Sequence, residues 1–171
     1  SIDLVSEDSE RFQRIIPPAL HYVDYLFMNE IEAARTTGIA VRGKNQALIP
    51  DALLEAMSHL SRLGTMRLIT VHMPEGAVVL DTRGKFYSIG SLQIPNGDIA
   101  GTTGAGDAFC AGMLHGIHER YTILESLRLA TCCSAACLLV EDASSGVISL
   151  RHVLALREQY AFRKPPVECA P

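Results

Sequence analysis

Apolar positions along the chain follow two periods, and together they predict an α/β fold. From Leu53 to Leu63 apolar residues recur every three or four positions, with Pro50 at the start and Gly64 after the end, which predicts a helix. Residues 67–72 are instead a short run rich in branched apolar residues, as expected of a strand. Strands that alternate with helices are typical of layered α/β folds.

The same patterns predict the other elements of the first half. A helix is expected over 9–22, a strand over 25–28, a helix from 29 to Gly38, and a β-hairpin over 77–89 at the edge of the sheet. The last third is expected to form three helices. The first covers 105–118, the second runs from a capping box at Thr122 and Glu125 to about 140, and the third runs from Ser149 to about 160.

Size and charge restrict the classes of function. The chain has 171 residues, 48% of them hydrophobic, and a net charge of −4, which suits one compact domain. We predict a folded portion over 1–162 and a flexible tail over 163–171, because the tail has no periodicity. The acidity argues against nucleic acid or an anionic membrane as a partner. With no membrane-length apolar run and no visible secretory signal, a cytoplasmic location is expected.

Five cysteines occur, and three of them crowd one apolar stretch: Cys110, Cys132, Cys133, Cys137 and Cys169. A zinc site at Cys133 and Cys137 is possible in principle, but no second pair of ligands has the right spacing. Small apolar packing in a reduced protein is the favoured interpretation.

The segment from Gly101 to Asp107 is the strongest chemical signal. It contains three glycines and is followed at once by a predicted helix. Glycines let the backbone approach a ligand closely, and the first amides of a helix are unpaired donors at the positive end of its dipole. The segment therefore predicts a binding site for an anionic phosphate.

Asp107 has two interpretations. An aspartate at a helix start commonly caps the amides and complements the dipole. Next to a phosphate site, however, it could serve as a base that takes a proton from an attacking hydroxyl. The segment is neither a Walker A loop, since no Lys-Ser or Lys-Thr follows, nor a dinucleotide fingerprint.

The run Thr102-Thr-Gly-Ala-Gly-Asp-Ala-Phe109, continued by Ala111-Gly112, resembles the C-terminal signature of the ribokinase-like (PfkB) carbohydrate kinases. The resemblance implies that Asp107 is the catalytic base. It also implies that the backbone amides of the three preceding residues form the anion hole for the transferred phosphate: Gly104, Ala105 and Gly106.

Two further segments resemble motifs of that family. Asn29-Glu-Ile-Glu32 resembles an Asn-x-x-Glu motif that organises magnesium and phosphate, although a helix N-cap with a first-turn acid is the plain alternative. The strand 68–72 and the following Glu75-Gly76 resemble a strand and turn that carry a Thr-x-Gly motif near the phosphates; Thr70 fits the motif, but the spacing to Gly76 is longer. His72 stands where glycine is usual, so it is either a distinct phosphate or ribose contact or an ordinary histidine at a strand end.

The resemblance also implies a nucleotide site beside the signature. The helix from Thr122 and the loop 143–146 would surround the adenine. The residues assigned to this site are Thr102, Thr103, Cys132, Ala136, Ser144 and Gly146. For the small residues of the helix and loop, ordinary helix packing is an equal alternative.

Two departures limit what the resemblance implies. The family signature usually begins with an acidic or polar residue that helps hold a monovalent cation, and Gly101 leaves that requirement open. The resemblance also covers the second half of the family fold only. The first half, which carries most sugar contacts and a small β lid, has no counterpart here, and oligomerisation through that lid is therefore not predictable.

The sequence thus predicts a ribokinase-like, three-layer α/β/α sandwich with a mainly parallel sheet, present as a partial domain. The expected function is phosphorylation of a sugar hydroxyl with ATP and Mg²⁺. A kinase for a nucleoside or another small alcohol is the alternative within the fold, and an inactive nucleotide-binding fragment is the other. We expect the isolated chain to lack kinase activity and to associate through unpaired sheet.

Overall fold

The computed structural model describes residues 1–4 and 11–169, apart from the side chain of Arg11. So far as they are described, the residues group into two compact units rather than the single domain that chain length suggested. The first unit contains the described residues of 1–73, 78–87 and 166–169, and the second contains residues 74–77 and 88–165. No helix among the described residues is long and apolar enough to cross a membrane.

The first half of the chain alternates strands with helices. In chain order the elements are β1 (Ile2–Asp3), α1 (Arg11–Ala19), a 3-10 turn (Leu20–Tyr22), β2 (Tyr25–Asn29), α2 (Glu30–Thr37), α3 (Pro50–Leu60), β3 (Leu68–Met73), β4 (Gly76–Asp81) and β5 (Phe86–Gly90).

The strands form one sheet in the order β1-β2-β3-β4-β5. Strands β1, β2 and β3 are parallel, and Asn29 at the end of β2 lies opposite His72 of β3. The links from β3 to β4 and from β4 to β5 are too short for parallel neighbours, so these strands run antiparallel. The sheet is therefore mixed, and the prediction that the hairpin lies at its edge is confirmed.

Both faces of the sheet are buried. Side chains of a strand alternate between the faces, and one face contributes Leu26, Met28, Ile69, Val71, Val78 and Leu80 to a core shared with residues of α2 and α3. On the opposite face Phe27, Thr70 and Val79 are also fully buried. Burial on two sides is expected of a sheet that lies between helical layers.

The second unit is mainly helical. It contains a 3-10 turn (Asn96–Asp98), α4 (Ala105–His118), α5 (Ile123–Leu138) and α6 (Leu150–Gln159). Its core joins α5, α6 and the segment after β5, through the buried residues Leu92, Ile94, Leu129, Cys132, Ala136, Val153 and Leu156. The reciprocal capping box of Thr122 and Glu125 opens α5 as predicted.

Most predicted elements are confirmed, and the differences lie at their ends. Helix α4 has the predicted bounds, whereas α3 ends at Leu60 because 3-10 bonds from Arg62 and Leu63 close its last turn. The first helix was predicted from Ser9, and Ser9 and Glu10 lie outside the described residues. Helix α1 keeps Pro17 and Pro18 inside it before the chain tightens into the 3-10 turn.

The segment predicted as a flexible tail contains packed residues. Val167 is 4% exposed and belongs to the core of the first unit, and Cys169 packs against that core. Within the second unit, Phe162 pairs with Leu92 and the amide of Arg163 donates to the carbonyl of Ser91. Periodicity misses these anchors, because single apolar residues in an extended segment produce no repeat.

A buried ion pair joins the first turn of α2 to the segment that follows it. Arg42 approaches Oε1 of Glu30 with Nη2 at 2.7 Å and Nε at 2.9 Å, and its Nη1 donates to the carbonyl of Gln46. The side chains of Arg42 and Glu30 are only 12% and 9% exposed. Removing one charge would leave the other desolvated and uncompensated.

We expect Arg42→Met to lower the free energy of unfolding by about 3–5 kcal/mol, because Glu30 would stay buried without its partner. The matched control is Arg67→Met, which removes an exposed pair with Asp24 whose atoms are 3.4 Å apart. That change should cost about 0–1 kcal/mol. Urea denaturation measures both, and equal losses would contradict the burial argument.

Candidate active site

The glycine turn ends in a helix start that no side chain caps. Gly104 occupies the N-cap of α4 with φ of +79°, and α4 begins at Ala105. The first helical hydrogen bond runs from the amide of Ala108 to the carbonyl of Gly104 at 2.8 Å. The amides of Gly106 and Asp107 donate to no described residue. The backbone therefore presents donors where a helix dipole is positive, which is suited to an anion.

Asp107 is the third residue of α4 and its side chain is exposed. It does not cap the helix, and no described residue donates a hydrogen bond to its carboxylate. The capping interpretation therefore has no hydrogen bond to support it. The carboxylate stays available in the same turn as the unpaired amides.

The turn packs on the end of α5 and on the loop after it. The amides of Ala100 and Gly101 both donate to the carbonyl of Leu138, at 2.9 and 3.4 Å. A Cβ atom placed on Gly104 would lie 2.7 Å from both Cα and Cβ of Ala143. Only glycine accepts both this contact and the left-handed backbone without strain.

The loop after α5 is ordered by Asp142. Its Oδ1 accepts hydrogen bonds from the amides of Ser144 and Ser145, at 2.9 and 2.7 Å. The hydrogen bonds from Ser145, followed by the amide of Ser144, lower the pKa of Asp142 from 3.8 to about 2. The carboxylate therefore stays charged at neutral pH and holds the loop that faces the glycine turn.

Of the residues assigned to the nucleotide, Thr102, Thr103 and Ser144 are exposed on this turn and loop. Gly146 is buried against the backbone of Ala136. Cys132 and Ala136 lie in the core between α5 and α6. Their placement favours the packing alternative over contact with a base.

In the first unit, Asn29 and Glu32 form a reciprocal capping box. Oδ1 of Asn29 accepts from the amide of Glu32 at 2.9 Å, and Oε2 of Glu32 accepts from the amide of Asn29 at 2.8 Å. Glu32 is almost fully buried. The N-cap alternative is therefore realised, and it leaves a role toward a ligand as a prediction.

Two other predicted residues lie on neighbouring positions of that sheet. Thr70 is fully buried, and its Oγ1 has no hydrogen-bond partner among the described residues. His72 is half-buried opposite Asn29, so these two side chains occupy the same face at the carboxyl ends of parallel strands. Ligands of open α/β sheets bind at that end.

Gly76 has a structural explanation. Its φ is +152°, and a Cβ there would lie 2.8 Å from Cα of Gly90. The close approach of two backbones accounts for glycine without a phosphate.

A family model for the pfkB family carbohydrate kinases matches residues 2–149, which include the turn, the start of α2 and β3. This chain belongs to the pfkB family.

Solved structures of several kinases share its fold. Ribokinase from Arabidopsis thaliana, solved with ribose and ATP, is 26% identical with a TM-score of 0.70, over 83% of this chain and 43% of that one. A 2-dehydro-3-deoxygluconokinase from Thermotoga maritima is 20% identical with a TM-score of 0.70, over 91% and 49%. Adenosine kinase from Sinorhizobium meliloti is 20% identical with a TM-score of 0.64, over 87% and 40%.

These matches confirm the predicted ribokinase-like α/β fold, present as a partial domain. The chain spans less than half the length of each of these three kinases. The search of curated proteins gives no significant match.

The fit of the residues to ATP and to Mg²⁺ differs. Unpaired amides at the start of the 14-residue helix α4 fit a phosphate group. Among residues 1–4 and 11–169, no cluster of three or more His, Cys, Asp or Glu side chains could hold a metal ion. Asn29 and Glu32 each accept a backbone hydrogen bond with one side-chain oxygen. Their role toward magnesium stays a prediction.

Sequence reasoning missed two residues of this site. Cys137 was assigned to packing, and Asp142 was treated as part of a loop. The spacing Asp142-x-Ser144-Ser145 at a helix end is a local signal for an aspartate that accepts the following amides. The Sγ atom of Cys137 contacts the carbonyl oxygens of Thr103 and Ala143. These two residues are far apart in sequence, so no local pattern could have indicated the contacts.

We expect Gly104→Ala to lower the free energy of unfolding by about 2–3 kcal/mol, because the methyl group meets Ala143 in addition to the backbone strain. The matched control is Gly84→Ala in the hairpin, where φ is +76° and nothing lies within 4 Å. Strain alone should cost about 1 kcal/mol there. Urea denaturation measures the free energy of unfolding of both variants. A similar loss for the two would show that the contact with Ala143 does not contribute to the cost of Gly104→Ala.

The pKa of Asp142 gives a pH prediction. Its folded-state pKa is lowered, so its stabilising charge is fully present above 3.8 and is lost as pH falls through about 2. We expect the stability difference between the native protein and Asp142→Asn to be nearly constant above about pH 5 and to lose its charge-dependent part as pH falls from about 4 through about 2. NMR titration of the carboxyl carbon checks the midpoint directly, and a midpoint near 3.8 would contradict the hydrogen bonds to Ser144 and Ser145.

Proposed function

We propose that this chain is the nucleotide-binding and catalytic portion of a kinase that transfers the terminal phosphoryl group of ATP to a sugar hydroxyl. One observation carries the proposal. An exposed, unbonded carboxylate, Asp107, shares the first turn of α4 with backbone amides that have no described acceptor. Membership of the pfkB family supports phosphoryl transfer to a carbohydrate as the reaction class.

Asp107 acts as the general base. It accepts the proton of the acceptor hydroxyl as that oxygen forms its bond to phosphorus and the bond from phosphorus to the leaving diphosphate breaks. An exposed carboxylate without a donor can approach a hydroxyl directly. Its position next to the unpaired amides brings proton removal and phosphate binding into one short segment.

The backbone at Gly104, Ala105 and Gly106 forms the anion hole. Amide donors and the dipole of α4 stabilise the negative charge on the transferred phosphoryl group. The amide of Gly106 is unpaired, whereas that of Ala105 makes only a 3.4 Å contact with the carbonyl of Thr102. The packing of Gly104 on Ala143 keeps these donors in place before a phosphate arrives.

The exposed residues of the turn and of the loop after α5 face the nucleotide: Thr102, Thr103 and Ser144. Mg²⁺ bound with ATP would neutralise phosphate charge and would be held mainly by phosphate oxygens and water. Asn29, Glu32, Thr70 and His72, at the carboxyl ends of β2 and β3, are proposed to act toward phosphate and magnesium. A cytoplasmic location is proposed with it, and it agrees with five free cysteines.

Kinases of sugars and of nucleosides share this fold, since an adenosine kinase is among the similar structures. The glycine turn is proposed to bind the phosphate and to accept the proton. It does not identify the residues that determine specificity for the acceptor. Assaying the full-length protein with ATP and a panel of sugars, keto-acid sugars and nucleosides separates these classes. ATP binding without turnover of any acceptor would favour the inactive nucleotide-binding alternative.

In the full-length protein we expect Asp107→Asn to lower kcat by about 10²–10⁴-fold, because the amide cannot accept the hydroxyl proton. The KM for ATP should change little, because the amides of α4 are kept. The control is Asp51→Asn, an exposed aspartate in the first turn of α3, which should leave kcat unchanged. Turnover retained by Asp107→Asn would remove Asp107 from the role of base.

A further inference from the structure

The thiol of Cys137 lies where three backbone carbonyls converge. Its Sγ is 3.0 Å from the carbonyl oxygen of Ala143, 3.4 Å from that of Thr103 and 4.0 Å from that of Asp142. The side chain is fully buried. Carbonyl oxygens have no proton to give, so the S–H group is the donor in these contacts.

The thiol keeps its proton at neutral pH. Burial raises the pKa of Cys137, and the nearby negative charges of Asp142 and Asp107 raise it further. A thiolate would be repelled by the three carbonyl oxygens that surround it. Cys137 is therefore a persistent donor and a poor nucleophile.

The acceptors belong to two segments far apart in sequence. Thr103 directly precedes the N-cap of α4, and Ala143 lies in the loop after α5. The same alanine is the residue against which Gly104 packs. The Cys137 thiol and Gly104 thus both join the glycine turn to Ala143, at adjacent residues of the turn.

We propose that Cys137 is a positioning residue for the phosphate-binding turn: its S–H joins the carbonyls of Thr103 and Ala143 and thereby sets the direction of the first amides of α4. Its structural part stands on the contacts alone. Its catalytic consequence rests on the proposed function.

The alternative is that Cys137 merely fills space in α5. Cys133, one turn earlier in the same helix, is buried in the core of that unit and serves as the matched control. Both residues lose a sulfur atom from a buried position when changed to alanine. Only Cys137 donates to the turn and to the loop among the described residues of α5.

The kinetic test uses the full-length protein. We expect Cys137→Ala to lower kcat about three- to tenfold with a smaller change in the KM for ATP. Misdirected amides should lose more stabilisation of the transition state, where charge develops, than of bound ATP. Cys137→Ser, which keeps an O–H donor, should recover most of the rate. Cys133→Ala should leave kcat unchanged even if its melting temperature falls. A serine variant no better than alanine, or equal effects at Cys133 and Cys137, would overturn the proposal.

Amide hydrogen exchange provides a readout that needs no turnover. The amide of Ala108 closes the first turn of α4 by its 2.8 Å bond to the carbonyl of Gly104. In Cys137→Ala that amide should exchange about fivefold faster or more, whereas Cys133→Ala and Cys137→Ser should leave it close to the native rate. Unchanged exchange at the turn in Cys137→Ala would refute the positioning role. If the protein phosphorylates none of the acceptors tested, the proposed function fails and the exchange comparison still decides on Cys137.

Discussion

A helix that begins without a side-chain cap is the constraint on which the candidate site depends. Helices α2, α5 and α6 begin with side-chain caps from Asn29, Thr122 and Ser149. Helix α4 begins with Gly104, which has no side chain to satisfy the amides. Unpaired donors gain from an anion, but they leave the turn without the bonds that usually order a helix start. Its order must come from packing, and Leu138, Cys137 and Ala143 supply the contacts.

Preorganisation of this kind suits phosphoryl transfer, in which positioning and charge stabilisation dominate. Donors already directed at the phosphate need no reorganisation when negative charge develops. Asp107 nevertheless remains exposed in this chain. A base works best when water is kept away from the reacting atoms, so the proposed role of Asp107 would need this carboxylate to be shielded from water during transfer. The chain spans less than half the length of these similar kinases.

The elements and the glycine turn were predictable because both are local. Helical and strand periods located α3 to α6 and strands β2 to β5, and glycine spacing indicated the helix start. The burial of Cys132 and Ala136 was not predictable, since all faces of α5 carry small residues and periodicity cannot separate a packed face from a ligand face. Val167 is a single anchor in an extended segment. The contacts of Cys137 depend on two loops that only the folded chain brings together.

Asn29 and Glu32 illustrate why a capping role does not exclude a functional one. The reciprocal cap consumes one oxygen of each side chain and orders both at the carboxyl end of β2, next to His72 of β3. The ion pair of Glu30 with Arg42 ties the same first turn of α2 to the segment that follows the helix. A polar group kept rigid at that end of a parallel sheet is better placed to orient hydrated phosphate than a mobile one, since its conformational entropy is already lost. The capping box that explains Asn29 and Glu32 structurally would therefore also favour their proposed role toward phosphate.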